Sequence, residues 1–428
     1  MPDAAAPSPS PYAGPTPAYV YDLAEVRASL DRLRSALPQP SRIYYSLKAN
    51  PHPRIVGALH AGGCRAEVSS VGEVQAALDA GVPPGDVLYS GPGKSDRDLD
   101  TAFTAGVRHF SLDSARAARQ LDDAAARHGT TARFLLRVNT DLPAPGAGLA
   151  MTGVSSPFGA DRAGVEAAPE AFTGHDHLDF DGLHLYLATN LSDEDALLEQ
   201  FDVALATARR LQDAMGVPLR VLDLGGGFGA PYARAGELPH FPALAGRLAA
   251  RLDETFPQWR EGDPLLAFES GRYLAATCGT LYTRVLDAKS SHGQRVLVLD
   301  SGIHHLGGMS GLRRVPPIRP QTQQVHPAPD PSPDAPDAGN APDAGDAAPV
   351  MVCGPLCTPL DTWARSAPAL PAGPGDLLAV PNVGAYGLQA SLVLFLGHPL
   401  PLEVVRDGDA HVSTTRLETR RRTLPAAA

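Results

Sequence analysis

The stretch YYSLKANPHPRIVGALHAGG (residues 44–63) decides how the fold is read. Ile43 to Leu47 make an apolar run of strand length, and beyond the "NPHP" break Ile55, Val56 and Leu59 recur at helical spacing. A strand that leads directly into a helix is one β/α unit. Lys48 closes the strand. A charged side chain at the end of a buried strand either runs back to water along its stem or points into a site.

The pattern repeats outward from this unit. Before it, "LAEVRASLDRLRSAL" puts Leu23, Val26, Leu30, Leu33 and Leu37 on one helical face. After it come strand-like runs, "CRAEVS", "DVLYSG", "HFSLDS", "RFLLRVN", "DGLHLYL", "LRVLDLG" and "LLAFES". Helical segments such as "VGEVQAALDAG" and "EDALLEQFDVALATARRLQDAMG" separate most of them. Counting "RIYYSL", eight strands alternate with helices over residues 23–269, which predicts a (β/α)8 barrel. A doubly wound open sheet would carry a GxGxxG turn near its start, and none is there.

Past residue 270 the texture changes. "GTLYTRVLDAK", "QRVLVLDSG", "DLLAVPNVGAY", "SLVLFLG" and "PLEVVRDG" are short β-like runs punctuated by Gly and Pro, which predicts a second, all-β domain over 270–428. Residues 321–349, rich in Pro, Ala and Asp with a near repeat "APDAG", read as a disordered surface insertion with a spacer role. Residues 1–16 read as a disordered start, and residues 17–22 as a strand joining the β domain.

A chain of 428 residues with 43% hydrophobic content has room for about two or three domains. With 36 Lys and Arg against 47 Asp and Glu the net charge is −11, which argues against a nucleic-acid binder; "RLETRRR" is a short solvated tail. The start has no basic segment ahead of an apolar one, so no secretory signal is expected, and no apolar run approaches the roughly 20 residues that span a bilayer. Cys64, Cys278, Cys353 and Cys357 contain no CxxC pair. Free thiols in the cytoplasm and no metal framework are the expectation.

In a barrel, functional groups gather at the carboxyl ends of the strands. Lys48 ends the first strand, Glu67 and Glu73 follow the second, and Arg137 ends the fifth. His184 and Tyr186 end the sixth, "LDLGGGFG" the seventh and "FESGR" the eighth. Gly225, Gly226, Gly227 and Gly229 allow backbone N–H groups to approach an anion, and Arg272 adds a charge-assisted contact, which together make a phosphate site. Lysine plus phosphate in one barrel suggests pyridoxal phosphate, whose aldehyde bonds lysine and whose ring nitrogen needs an acidic partner such as Glu269.

These motifs together resemble the fold-type III pyridoxal-phosphate decarboxylases, which include the diaminopimelate, ornithine and arginine enzymes. The resemblance runs from about Pro17 to His398, outside the Pro-rich insertion. It implies that Lys48 of "YYSLKAN" is the Schiff-base lysine and that "LDLGGGFG" holds the phosphate. Glu269 and Arg272 of "FESGRYL" would meet the ring nitrogen and the phosphate. Cys357 of "VCGPLCTPLD" would be the catalytic cysteine that returns a proton to the α-carbon, and Tyr386 of "NVGAYG" would reach the phosphate. His184 and Arg137 join the cofactor-binding set. The resemblance also implies a homodimer in which the cysteine segment completes the partner's active site.

Two departures from the family pattern bear on substrate. Where the diaminopimelate enzymes read HIGS, this chain has Tyr186, Leu187, Ala188 and Thr189; Tyr186 can still stack and Thr189 can still donate to phosphate. The residue after the cysteine, normally Asp or Glu in enzymes that bind a distal amine, is Thr358. Thr358 and Asp361 are the substrate-facing candidates. With "DSGIHHLGGMSG", where His304 and His305 either border the site or serve an ordinary structural role, the chain is more similar to a natural-product subgroup that includes the butirosin-pathway glutamyl-acyl carrier protein decarboxylase. That points to a carrier-tethered or otherwise modified amino acid, with an acyl carrier protein as possible partner. The alternatives are a free diamino acid such as meso-diaminopimelate, an alanine-racemase-like isomerase, which would need a tyrosine where this chain has "GPLC", and a cofactor-binding protein without catalysis.

Overall fold

The computed structural model describes residues 12–140, 153, 155–307, 321–325 and 348–423, and divides the chain into two compact units. One comprises residues 25–230 and 237–275, the other residues 1–24, 231–236 and 276–428. The chain enters through β1 (Ala18–Asp22) and α1 (Leu23–Ser35).

The larger unit is a closed parallel barrel. Its strands are β2 (Ser41–Ser46), β3 (Arg65–Val68), β4 (Val87–Tyr89), β5 (His109–Leu112) and β6 (Ala132–Asn139). A two-residue β7 (Ala160–Asp161) pairs outside the ring with β6, and β8 (Leu178–His184), β9 (Val221–Asp223) and β10 (Leu265–Ser270) complete it. β10 pairs with β2, Phe268 against Ile43, and closes the eight-stranded ring. Tyr44, Leu88, Leu135 and Val221 pack as one buried cluster with Ala267. The first four come from alternate strands of the ring, the layer arrangement that fills a small barrel with side chains. Gly182 lies at a register shift opposite β6 with φ 151°, where a Cβ would collide with the Val221 carbonyl; only glycine fits.

Local chemistry sets the helix starts, beginning with the His52 imidazole, which caps α2 (Pro53–Ala61) by accepting the Arg54 N–H. Ser70 caps α3 (Val71–Asp79) and Ser114 caps α5 (Ala115–Arg127) by accepting a backbone N–H. Ser95 and Asp98 form a reciprocal capping box on α4 (Asp96–Thr104), the helix that follows β4. Asp193 caps the long helix over Glu194–Met215, which buries Leu197, Phe201, Ala204, Leu205, Ala208 and Leu211 and ends on Gly216 at φ 65°.

The smaller unit holds β11 (Gly279–Ser291), β12 (Gln294–Leu299), β13 (Gln323–Val325), β14 (Val350–Cys353), β15 (Thr362–Ala367), β16 (Leu377–Val380), β17 (Leu402–Asp407) and β18 (Ala410–Arg416). With β1 they form one mixed sheet, in which β1 lies between β11 and β17. Ala18, Val20, Tyr282, Leu377, Ala379 and Val404 make its core.

Three segments differ from the sequence reading. Tyr12, placed by composition in a disordered start, is buried against Tyr282 with ring centroids 5.1 Å apart, and Thr16 donates to Asp300 at 2.5 Å. Gln323–Val325, placed inside the Pro-rich insertion, pairs antiparallel with β16; residues 326–347 of that insertion and residues 1–11 lie outside the described residues. "SLVLFLG" is not a strand. It runs through turns and a 3-10 helix at Phe395–Gly397, with Leu392, Leu394, Phe395 and Leu396 exposed, because no neighbouring strand offers it a ladder. No helix among the described residues is long and apolar enough to cross a membrane.

Candidate active site

The carboxyl ends of the barrel strands bring the barrel's candidate residues together. Lys48 sits in a 3-10 turn directly after β2, its Nζ 3.5 Å from Glu67 Oε2 at the end of β3. Glu67 is buried and also accepts a hydrogen bond from the Ser90 hydroxyl. Burial pushes its carboxyl up, but Lys48 and hydrogen bonds from Ser90 and Ser46 outweigh that and hold it below the usual range. The Lys48 side chain is 44% exposed while its amine pairs with a buried anion. Glu73 serves the helix that follows, accepting the Ser69 N–H at 2.6 Å at the start of α3.

Two cations lie close to the Tyr186 ring. Lys48 Nζ is 5.9 Å and the Arg137 guanidinium 5.8 Å from its ring centroid. Arg137 is buried at the end of β6, stacked also on Phe158 at 4.7 Å. Thr189, half-buried, follows on the same loop.

The glycine loop after β9 has no room for side chains. Gly225 is at φ 65° and Gly227 at φ 105°. A Cβ on Gly225 would lie 2.6 Å from the Tyr186 ring, and one on Gly226 would strike the Glu269 carbonyl. The buried Gln200 of the long helix donates to the Gly226 carbonyl at 2.8 Å, and Glu269 N–H donates to the Gly225 carbonyl at 2.7 Å. Arg272 is half-buried, three residues past Glu269.

Behind the loop is a buried acidic centre. His184, Asp223 and Glu269 are buried, and each offers a polar atom within 4.8 Å of the others. His184 Nδ1 is 2.9 Å from Ser111 Oγ, and its Nε2 is 3.5 Å from Glu269 Oε1. Asp223 Oδ1 accepts the Gly225 N–H at 2.8 Å. Burial, with Glu67 and Asp223 nearby, raises Glu269 well above the carboxylate range; burial and Glu67 push Asp223 up to about 7. Burial, then Arg137, Lys48 and Lys94, keep the His184 imidazole neutral. His184 Nε2, Asp223 Oδ2 and Glu269 Oε1 are buried without a hydrogen-bond partner, the arrangement of a site that meets a polar ligand atom. Together with the side-chain-free glycine cradle, this donor set fits pyridoxal phosphate.

The other six candidates lie on the β unit, and two of them, His304 and His305, are buried. Cys357 is exposed. Thr358 is half-buried, its hydroxyl accepting the Leu360 N–H at 3.3 Å. Asp361 is 2% exposed, and its carboxylate accepts the Ile303 and Leu356 N–H groups, each at 2.8 Å. Both oxygens of this substrate-facing candidate are thus engaged by backbone N–H groups. Tyr386 has φ 55°, a left-handed backbone rare for a bulky residue, with its carbonyl accepting the Tyr232 hydroxyl at 2.7 Å. Ser111 and Asp223 escaped the sequence reading. A single Asp between Leu222 and Leu224 in a buried strand was the available signal.

The profile of the pyridoxal-dependent decarboxylases, in its pyridoxal binding domain, matches residues 23–276. The chain belongs to this family. Its members are carboxy-lyases that use pyridoxal phosphate, and this chain is a pyridoxal-phosphate-dependent decarboxylase of the amino-acid type. It is 31% identical to the L-glutamyl-(BtrI acyl-carrier protein) decarboxylase of Niallia circulans, over 91% of this chain and 89% of that one. A 2-((L-alanin-3-ylcarbamoyl)methyl)-2-hydroxybutanedioate decarboxylase of Staphylococcus aureus is 29% identical over 90% and 92% of the two chains. The diaminopimelate decarboxylase of Pseudomonas aeruginosa is 30% identical over 94% and 91%. The fold matches the crystal structure of diaminopimelate decarboxylase from Helicobacter pylori complexed with L-lysine, with a TM-score of 0.78, 24% identity and coverage of 94% and 93%.

Proposed function

We propose that this decarboxylase acts on an amino acid that is tethered to an acyl carrier protein or otherwise modified, in secondary-metabolite biosynthesis. The observation that carries this reading is the loop over residues 354–361. Its one acid, Asp361, is buried and engaged by two backbone N–H groups, and the residue after Cys357 is the uncharged Thr358. The loop thus presents no carboxylate to a distal ammonium. Two of the relatives support the same direction, since the substrates in their names carry their amino acid on a carrier or in an amide.

Bound pyridoxal phosphate supplies an electron sink for the pair left behind when a carboxylate departs. The chain's own residues supply the rest. Lys48 would hold the cofactor's carbonyl carbon, with Glu67 keeping its amine in place. Gly225, Gly226, Gly227, Arg272, Thr189 and Tyr386 would hold the phosphate. Tyr186 would lie against the ring, with Arg137 and His184 beside it and Glu269 at the ring nitrogen. Cys357 would deliver a proton to the substrate α-carbon.

The assembly proposed is a homodimer in which Cys357 serves the partner's site. Leu394 and Leu360 are 69% and 74% exposed on the β unit, which supports a second copy covering them. Four cysteines without a disulfide fit the cytoplasm. A free diamino acid such as diaminopimelate is the second reading, favoured by the Pseudomonas aeruginosa relative. Carbon dioxide release from matched free and carrier-loaded amino acids separates the two.

A further inference from the structure

The hydrogens of the Ser111–His184–Glu269 array follow from the hydrogen bond between Ser111 and His184. All three residues are buried, Ser111 fully so. If His184 carried its proton on Nδ1, it would donate to Ser111 Oγ, 2.9 Å away. The serine hydrogen would then have no acceptor among the described residues. If Ser111 donates to Nδ1 instead, the proton sits on Nε2 and is turned to Glu269. The serine hydrogen then has its acceptor, and Nε2–H lies 3.5 Å from Glu269 Oε1. The backbone holds this geometry, since Lys94 Nζ donates to the Ser111 carbonyl at 2.7 Å.

We propose that Ser111 and His184 are a positioning pair: Ser111 selects the His184 tautomer whose Nε2–H faces Glu269, and so fixes Glu269 as the acceptor at the cofactor's ring nitrogen. The inference rests on Glu269 facing that nitrogen, as in the reading above. Asp223 complements the pair. Burial raises both carboxyls, and Asp223 Oδ1 is already engaged by the Gly225 N–H, which leaves Glu269 as the carboxyl free to meet a cationic ring nitrogen. The other charged groups acting on His184 and Glu269 are Lys48, Lys94, Arg137 and Glu67.

The test starts from the wild-type apoenzyme labelled with 15N-histidine. At about pH 7.5 the His184 ring, identified by its loss in His184→Gln, gives the shift pattern of a neutral Nε2–H tautomer. An Nδ1–H tautomer or an imidazolium overturns the proposal, whatever the variants do. In the second arm, Ser111→Ala binds pyridoxal phosphate about fivefold to tenfold more weakly, measured by equilibrium dialysis, and Ser111→Thr restores the affinity. An unchanged affinity in Ser111→Ala overturns the proposal. If Glu269→Gln binds the cofactor as the wild type does, the reading of Glu269 falls and takes this inference with it; the tautomer measurement separates that failure from a failure of the Ser111–His184 step.

Discussion

Asp223 and Glu269 keep protons that carboxyl groups in water would have lost, and this has a sign that can be measured. The Asp223 carboxyl is raised from an ordinary 3.8 to about 7, chiefly by burial. A raised acid binds its proton more tightly in the folded state, so folding loses stability as pH climbs from about 4 to about 7. Asp223→Asn removes that loss while keeping an oxygen for the Gly225 N–H. The apoenzyme variant is expected to match the wild type near pH 4 and to exceed it at pH 8 by up to about 4 kcal/mol in denaturant titrations. A constant difference across pH would contradict this origin. At this scale the site was half legible. Lys48, Glu269, Arg272 and the glycines stand out because each breaks the apolar texture of a strand end. Ser111 and Asp223 do not, since one polar letter inside a buried strand has a meaning set by what faces it across the barrel.

Loops and strands carry the next set of consequences. Gly226 lies where a Cβ would meet the Glu269 carbonyl, so Gly226→Ala must shift the loop against β10. Cofactor affinity is expected to fall at least about tenfold, with a lowered melting temperature. Asp361→Asn keeps one acceptor oxygen and loses the other, loosening the loop that carries Cys357. Its expected signature is a kcat reduced about tenfold with pyridoxal phosphate binding unchanged; weakened cofactor binding would place Asp361 elsewhere in the mechanism. The eight barrel strands were readable because parallel strands buried on both faces are continuous apolar runs. The β sheet was harder. β15 and β18 mix polar and apolar residues, and "SLVLFLG" has the letters of a strand without a neighbour to pair with.

For the whole molecule the central questions are assembly and substrate. If each site takes Lys48 from one copy and Cys357 from its partner, inactive Lys48→Ala and Cys357→Ala proteins, mixed and allowed to exchange, regain activity. Half of the dimers are then mixed, each with one intact site, so about a quarter of the wild-type rate is expected. No recovery after verified exchange would place both residues in one copy's site. The substrate claim has the most direct test. Carbon dioxide release is measured with free glutamate, aspartate, lysine and diaminopimelate beside the same amino acids loaded as thioesters on a carrier protein. Release from a loaded thioester is expected to be far above release from any free amino acid. Faster turnover of free diaminopimelate than of every loaded substrate would contradict it, and would mean that a residue other than Thr358 or Asp361 meets the distal ammonium.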